Sequence, residues 1–135
     1  MTEQLTEHPN VTLMRKVYDA FGVGDVQTAG SYWTEDAVHH YPGRNPLAGE
    51  HRGLAESIAF ANKIFELTEG KLHMETLEIG ASENHAFALL ATRYERKGRV
   101  LEMPFVNVAR IEDGKIAEFW TYPEDVYATD EFWNA

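Results

Sequence analysis

The spacing of the apolar residues changes at Gly70, and this change limits the folds that the chain can adopt. Before Gly70, residues 10–22 and 54–69 repeat their apolar side chains at helical spacing, which predicts two amphipathic helices. After Gly70, the apolar pattern is typical of strands in four segments: residues 71–79, 86–97, 100–111 and 116–122. Because only short turn sequences separate these segments, we predict that the four strands form an antiparallel meander.

Shorter elements surround these helices and strands. Asp25 is predicted to cap a short second helix that ends at Trp33, and residues 37–41 read as a strand. A loop rich in Pro and Gly covers residues 42–53, and a last helix is predicted over residues 123–133.

Helices that precede an antiparallel meander indicate an α+β fold, here in a single domain of residues 1–135. We predict a cone-shaped half-barrel, in which a curved antiparallel sheet wraps around the helices and encloses one internal pocket. Apolar residues make up 44% of the chain and aromatic residues 12%, which is enough to fill a core and to line such a pocket.

Composition argues against several classes of function. A net charge of −10 disfavours binding to nucleic acids and to anionic membranes, which both require clustered Lys and Arg. The chain has no cysteine, and His39, His40 and His51 lack a carboxylate at metal-ligand spacing, so we predict no metal and no cofactor. The N-terminus is too polar for a signal peptide and no run of 18 apolar residues occurs, so we expect a cytoplasmic protein.

Side chains on a strand alternate between its two faces, and this predicts which residues line the pocket. In the third meander strand, Asn107 shares a face with Phe105 and other apolar residues, so we assign this face to the interior. In the first strand, His40 shares a face with the apolar Val38, which favours His40 over His39 as the inward histidine. The residues predicted to contact a ligand are Tyr18, Phe21, Trp33, Phe60, Ile64, Tyr94, Phe105 and Phe119.

These residues also have simpler interpretations. A lone inward histidine is more often a buried structural residue than a catalyst. Asn107 could tie two strands together, and aromatic residues such as Tyr18 could belong to the core alone. Asp125 lies where the last strand meets the last helix and is a candidate catalytic acid, but an aspartate at this position is also typical of a helix N-cap.

The order of the predicted elements and three local motifs resemble the SnoaL-like superfamily, also called ketosteroid isomerase-like or nuclear-transport-factor-2-like. The resemblance covers nearly the whole chain and implies the cone-shaped fold, a pocket for a small molecule and a homodimer. In chain order, the motifs are Gly24-Asp25 followed by Trp33-Thr34-Glu35-Asp36-Ala37-Val38, then His40 with Gly43, and then residues 98–110 with Asn107 nine positions after Gly98.

The chain departs from the steroid isomerases at the positions where those enzymes have their reacting groups. It has His40 in place of the aspartate base, Asn107 in place of the protonated aspartate, and Val17 beside Tyr18 where a tyrosine donor is expected. The loop of residues 44–52 is also longer than in the isomerases. The resemblance therefore implies a member of the broad SnoaL-like branch and not a true steroid isomerase.

Three functions remain open from the sequence. If His40 and Asn107 face one cavity, His40 can remove a proton next to a carbonyl while Asn107 donates to the enolate oxygen, as in an isomerase, cyclase or dehydratase. Alternatively, the pocket binds a small hydrophobic molecule without chemistry. A third possibility is an interaction domain that assembles through the outer face of the sheet. That face would carry Val106, Val108, Glu118 and Trp120. A homodimer through this face is compatible with either of the first two functions.

Overall fold

The computed structural model describes residues 7–135, so residues 1–6, on which much of the signal-peptide prediction depends, lie outside the described residues. Four helices and six strands occur in the described part. Within it, no helix combines the length and the hydropathy needed to cross a membrane. The elements are α1 (Pro9–Gly22), α2 (Val26–Gly30), β1 (Trp33–Tyr41), β2 (Gly49–Arg52), α3 (Leu54–Thr68), β3 (Leu72–Ala81), β4 (His85–Arg96), β5 (Arg99–Glu112), β6 (Lys115–Pro123) and α4 (Val126–Asn134).

The strands form one curved, unclosed sheet in the order β2-β1-β6-β5-β4-β3. Helices α1 and α3 pack against the sheet, and α2 packs between them. The α+β class and the cone-shaped fold are confirmed. The sheet is mixed, however, and not wholly antiparallel as predicted, because β1 pairs in parallel with β6. Turn lengths in the meander could not indicate this pair, since β2, α3 and three strands separate β1 from β6 in the chain.

Two local predictions between α1 and α3 were wrong. The second helix ends at Gly30 and not at Trp33, because Trp33 belongs to β1 and pairs with Ile116 of β6. The predicted loop contains strand β2, whose Gly49 pairs with Tyr41 of β1. In both places strand pairing overrides the local signal, with the distant strand β6 in the first case and with the neighbouring strand β1 in the second.

Helix α4 is attached to the sheet through packing and through hydrogen bonds. Trp133 is 1% exposed, and its indole Nε1 donates to the hydroxyl of Tyr41 at 3.1 Å. Its ring packs against Tyr94, with 5.4 Å between the ring centroids. The guanidinium of Arg96 donates to the carbonyl of Ala135 at 2.7 Å. Carbonyls at the end of α4 are therefore satisfied by a cation, which is also favourable for the helix dipole.

The loop after β1 is held against the same helix. Oδ1 of Asp130 accepts from the backbone N–H of Arg44 at 2.9 Å and from the side chain of Asn45 at 2.7 Å. Gly43 has a φ of +97°, and a Cβ at this position would clash with the Asp130 carboxylate. Position 43 therefore requires glycine both for its backbone conformation and for the space beside Asp130.

The outer face of the sheet exposes a row of apolar side chains across three strands. Phe87, Val106 and Tyr122 are 45%, 37% and 53% exposed, and the half-buried Val108 and Trp120 lie between them on paired strands. Large contiguous apolar surfaces of this kind are typical of interaction sites. We propose that two copies of the chain associate through this surface, as the sequence predicted.

A charge placed in this surface is expected to prevent association, because an unpaired carboxylate would be buried in an apolar contact. We expect the Trp120→Glu variant to have half the mass of the wild-type protein in light scattering. Tyr127→Glu is the matched control, since Tyr127 lies on α4 and is 88% exposed. Equal masses of the wild-type and Trp120→Glu proteins would contradict the homodimer.

Candidate functional site

The concave side of the sheet and helices α1, α2 and α3 enclose a cavity. It has about 750 Å³ of atom-free space, including its open mouth, and all eight residues predicted to contact a ligand lie in its wall. Whether those eight bind a ligand stays a prediction. The described residues in the wall include no Asp, Glu, Lys or Arg, and they are Val17, Tyr18, Phe21, Val26, Ala29, Gly30, Trp33, His39, Tyr41, Leu54, Ser57, Ile58, Phe60, Ala61, Ile64, Met74, Tyr94, Phe105, Asn107, Phe119 and Thr121.

The histidine in this wall is His39, so the prediction that His40 faces the pocket was wrong. On β1, His39 shares its face with the buried residues Ala37 and Tyr41. The prediction assumed that the apolar Val38 faces the interior together with His40. Val38 instead lies on the outer face, where apolar residues also occur. The alternation of Ala37, His39 and Tyr41 was the sequence signal for the correct face.

His40 lies on the outer face and belongs to a charged cluster there. Its Nε2 is 2.6 Å from a carboxylate oxygen of Glu118, and its Nδ1 is 3.6 Å from one of Glu50. The ring stacks on Trp120, with 5.3 Å between the centroids and 8° between the planes. The hydrogen bond with His40 lowers the pKa of Glu118, which stabilises the ionised carboxylate. His40 therefore has no access to a ligand in the cavity.

His39 is surrounded by aromatic rings and has one polar contact among residues 7–135. Its Nε2 lies 3.1 Å from the hydroxyl of Thr121, and its edge meets the rings of Phe60 and Phe119 at centroid distances of 4.6 and 4.8 Å. Burial is the main reason that the pKa of His39 falls to about 3, with smaller effects from His51 and His40. At neutral pH the imidazole is therefore uncharged, with one ring nitrogen as donor and the other as acceptor.

A second polar pair in the wall joins α1 to β5. The side-chain amide of Asn107 donates to the hydroxyl of Tyr18 at 2.9 Å, and its Oδ1 is buried without a partner among residues 7–135. Burial raises the pKa of Tyr18 well above its usual value, so this hydroxyl keeps its proton and can donate it in a hydrogen bond. Asn107 lies in the pocket wall as predicted, and one N–H of its side-chain amide is bonded to Tyr18; its role as a donor to an oxyanion stays a prediction.

All residues of the cavity wall except Thr121 fall within the part of the chain that matches a family model. The model for the SnoaL-like domain matches residues 14–119. The chain belongs to the SnoaL-like family. The matched segment contains α1 with Tyr18, β1 with His39 and β5 with Asn107, so three of the four polar groups described above lie within it.

Three other proteins are similar to this chain over almost their whole length. The uncharacterised protein Rv0034 of Mycobacterium tuberculosis is 25% identical over 131 residues, which cover 96% of this chain and 99% of that protein. The structure of Bal32a, from a soil-derived mobile gene cassette, has a TM-score of 0.90 and 28% identity over 93% of this chain and 97% of its own. TerC, co-crystallised with polyporic acid, has a TM-score of 0.82 and 19% identity over 93% of this chain and 98% of its own, and so shares the fold.

Asp125, the third predicted catalytic residue of this SnoaL-like chain, is the N-cap of α4. Its Oδ1 accepts from the backbone N–H of Ala128 at 3.1 Å, and it is absent from the cavity wall. A carboxylate in this position satisfies an otherwise free N–H group at the start of the helix. The capping interpretation of Asp125 is therefore the one that the structure supports.

Three polar residues near the site were missed by sequence reasoning. Thr121 lies beside Asn107 on the paired strand β6, and Ser57 lies in the wall on α3, where its hydroxyl has no partner among the described residues. His51 stacks on Phe60 at a centroid distance of 4.4 Å, and its Nε2 donates to the carbonyl of Leu47 at 2.8 Å. Alternation along β6 placed Thr121 on the same face as Phe119, which was the available signal.

Proposed function

We propose that this SnoaL-like protein binds a small, uncharged, mostly apolar molecule in the cavity. The observation that carries the proposal is the wall itself, which is rich in aromatic rings and has no charged side chain among the described residues. Aromatic walls favour flat apolar ligands, and a few polar groups orient them. A charged ligand would lose its hydration without gaining a counter-charge.

The polar groups in the wall indicate how such a ligand would be oriented. The hydroxyl of Tyr18 and the ring of His39 both lie in the wall and both have hydrogen-bonding capacity left after their contacts with protein groups. Each could pair with a carbonyl or a hydroxyl group of a ligand. TerC, which shares this fold, was co-crystallised with polyporic acid. This supports a small organic ligand for the present chain as well.

Acetophenone and benzoate test this proposal, since they have nearly the same shape and differ in charge. We expect acetophenone to raise the melting temperature of the protein and to give a saturable binding curve, whereas benzoate at the same concentration gives neither. Saturable binding of benzoate with equal affinity would contradict an uncharged ligand.

A blocking variant shows whether the binding occurs in the cavity. Ala61 lies in the wall on α3, and Ala59 is exposed on the same helix and is absent from the wall. We expect Ala61→Phe to weaken acetophenone binding at least tenfold, because the new ring occupies the cavity, and Ala59→Phe to leave it unchanged. Equal affinities in the two variants would place the binding elsewhere.

A second candidate function is proton abstraction next to a carbonyl, the first step of an isomerase or cyclase reaction. It is favoured because His39 and the Tyr18–Asn107 pair lie in one cavity wall. His39 would accept the proton from carbon, and Tyr18 would donate a hydrogen bond to the enolate oxygen. We place this function second because a pKa of about 3 makes His39 a weak base.

Exchange of the methyl protons of acetophenone in D₂O, followed by NMR, tests this reaction. If the reaction occurs, the wild-type protein accelerates exchange, His39→Gln abolishes the acceleration, and Tyr18→Phe reduces it by about 10²–10³-fold, as is typical for the loss of one donor to an oxyanion. His40→Gln is the control, because His40 lies on the outer face. Wild-type exchange no faster than in buffer would leave binding as the function.

A further inference from the structure

The contact between His39 and Thr121 determines which nitrogen of the imidazole is left to interact with a ligand. Nε2 of His39 lies 3.1 Å from Oγ1 of Thr121, and this is the only hydrogen bond of either side chain within residues 7–135. Nδ1 of His39 has no hydrogen-bond partner there and is not fully buried, and the residue lies in the cavity wall. Thr121 itself is 6% exposed.

Two hydrogens compete for positions in this pair, because a neutral imidazole carries one N–H and the threonine carries one O–H. If Nε2 of His39 carries the hydrogen, it donates to Oγ1 and the hydroxyl hydrogen of Thr121 is left buried without an acceptor. If Nδ1 carries it, the hydroxyl donates to Nε2, and the N–H points into the cavity, where a ligand or water can accept it. A buried donor without an acceptor costs about 1–3 kcal/mol, so the second arrangement is favoured.

We propose that Thr121 is a positioning residue that holds His39 with its proton on Nδ1, so that the cavity presents an N–H donor and selects ligands with a carbonyl oxygen. This inference rests on the proposed binding function for its ligand, but not for the state of the ring. It excludes proton abstraction by His39, because the unprotonated nitrogen then faces Thr121 and not the cavity. Thr121 would then determine the ligand specificity without needing to contact the ligand itself. The hydroxyl of Tyr18 is a second donor in the same wall, which favours the same class of ligand.

The state of the ring can be measured without any ligand, by the ¹⁵N chemical shifts of the histidine side chains at pH 7. We expect Nδ1 of His39 to show the shift of a protonated ring nitrogen and Nε2 that of an unprotonated one. Thr121→Ser should keep this pattern because it keeps the hydroxyl. Thr121→Val should lose it, because valine leaves Nε2 without a partner in either state and a free histidine side chain carries its proton mostly on Nε2. At least half of the molecules should then carry the proton on Nε2. A proton on Nε2 in the wild-type protein, or an unchanged pattern in Thr121→Val, would overturn the proposal.

Acetophenone and 1-phenylethanol test the selection of carbonyl ligands, since they differ in one oxygen function. We expect the wild-type and Thr121→Ser proteins to bind acetophenone about tenfold more tightly than the alcohol, and Thr121→Val to bind the two about equally. Tighter binding of the alcohol by the wild-type protein would overturn the selectivity. If neither compound binds, the proposed function fails for this class of molecule, while the ¹⁵N shifts still decide whether Thr121 sets the state of His39.

Discussion

Replacing Trp133 by alanine is expected to lower the free energy of unfolding by about 3–5 kcal/mol, the range for removal of a large buried aromatic side chain. Trp133 is 1% exposed, packs against Tyr94 and Phe132, and donates to the hydroxyl of Tyr41. The substitution leaves a cavity and also a buried Tyr41 hydroxyl without its donor. Urea unfolding followed by circular dichroism measures the change.

Tyr127→Ala is the matched control for this prediction. Tyr127 lies on the same helix, α4, and is 88% exposed, so its removal opens no cavity. We expect the control to change the free energy of unfolding by less than about 0.5 kcal/mol, as is usual for exposed positions. Similar losses in the two variants would show that Trp133 stabilises the protein through the propensity of α4 alone and not through its packing.

The stability of the wild-type protein is expected to decrease in acid more steeply than that of a His39→Gln variant. Burial holds the pKa of His39 at about 3, whereas its ordinary value is 6.5. Below pH 6.5, the unfolded chain therefore binds a proton at this residue that the folded protein does not bind. Acid consequently favours unfolding, by up to about 1.4 kcal/mol for each pH unit between pH 6 and pH 4. Above pH 6.5, both states hold the ring neutral and this contribution vanishes.

The measurement is the difference in the free energy of unfolding between the wild-type protein and His39→Gln, determined from pH 4 to pH 8. We expect the difference to be constant above pH 7 and to change by about 2–3 kcal/mol, against the wild-type protein, between pH 6 and pH 4. His73→Gln is the control, because His73 is exposed on β3. Parallel curves for the wild-type protein and His39→Gln would show that the folded protein protonates His39 as readily as the unfolded chain.

The alternation of side chains along a strand predicted the inward residues of β5 correctly but those of β1 wrongly. Alternation correctly placed Phe105 and Asn107 in the interior, since the opposite face of β5 carries the charged Arg110 beside its valines. The same rule failed at His39 and His40, because β1 has apolar residues on both faces. Apolar residues occur on the outer face of β1 because this face adjoins the apolar row around Trp120. That row forms only when the neighbouring strands pair, so the sequence of β1 alone does not indicate it.

The period of the apolar residues was sufficient to predict the helices, the meander and the α+β class, because helical and strand periods are properties of short segments. The same segments, with their motifs, were sufficient for the resemblance to the SnoaL-like superfamily that the family model confirms. Only the tertiary structure decided the parallel pairing of β1 with β6 and the existence of β2. It also decided the side-chain pairs His39–Thr121 and Asn107–Tyr18, whose residues are 82 and 89 positions apart in the chain. Such contacts depend on how whole elements pack, and no local pattern encodes that packing.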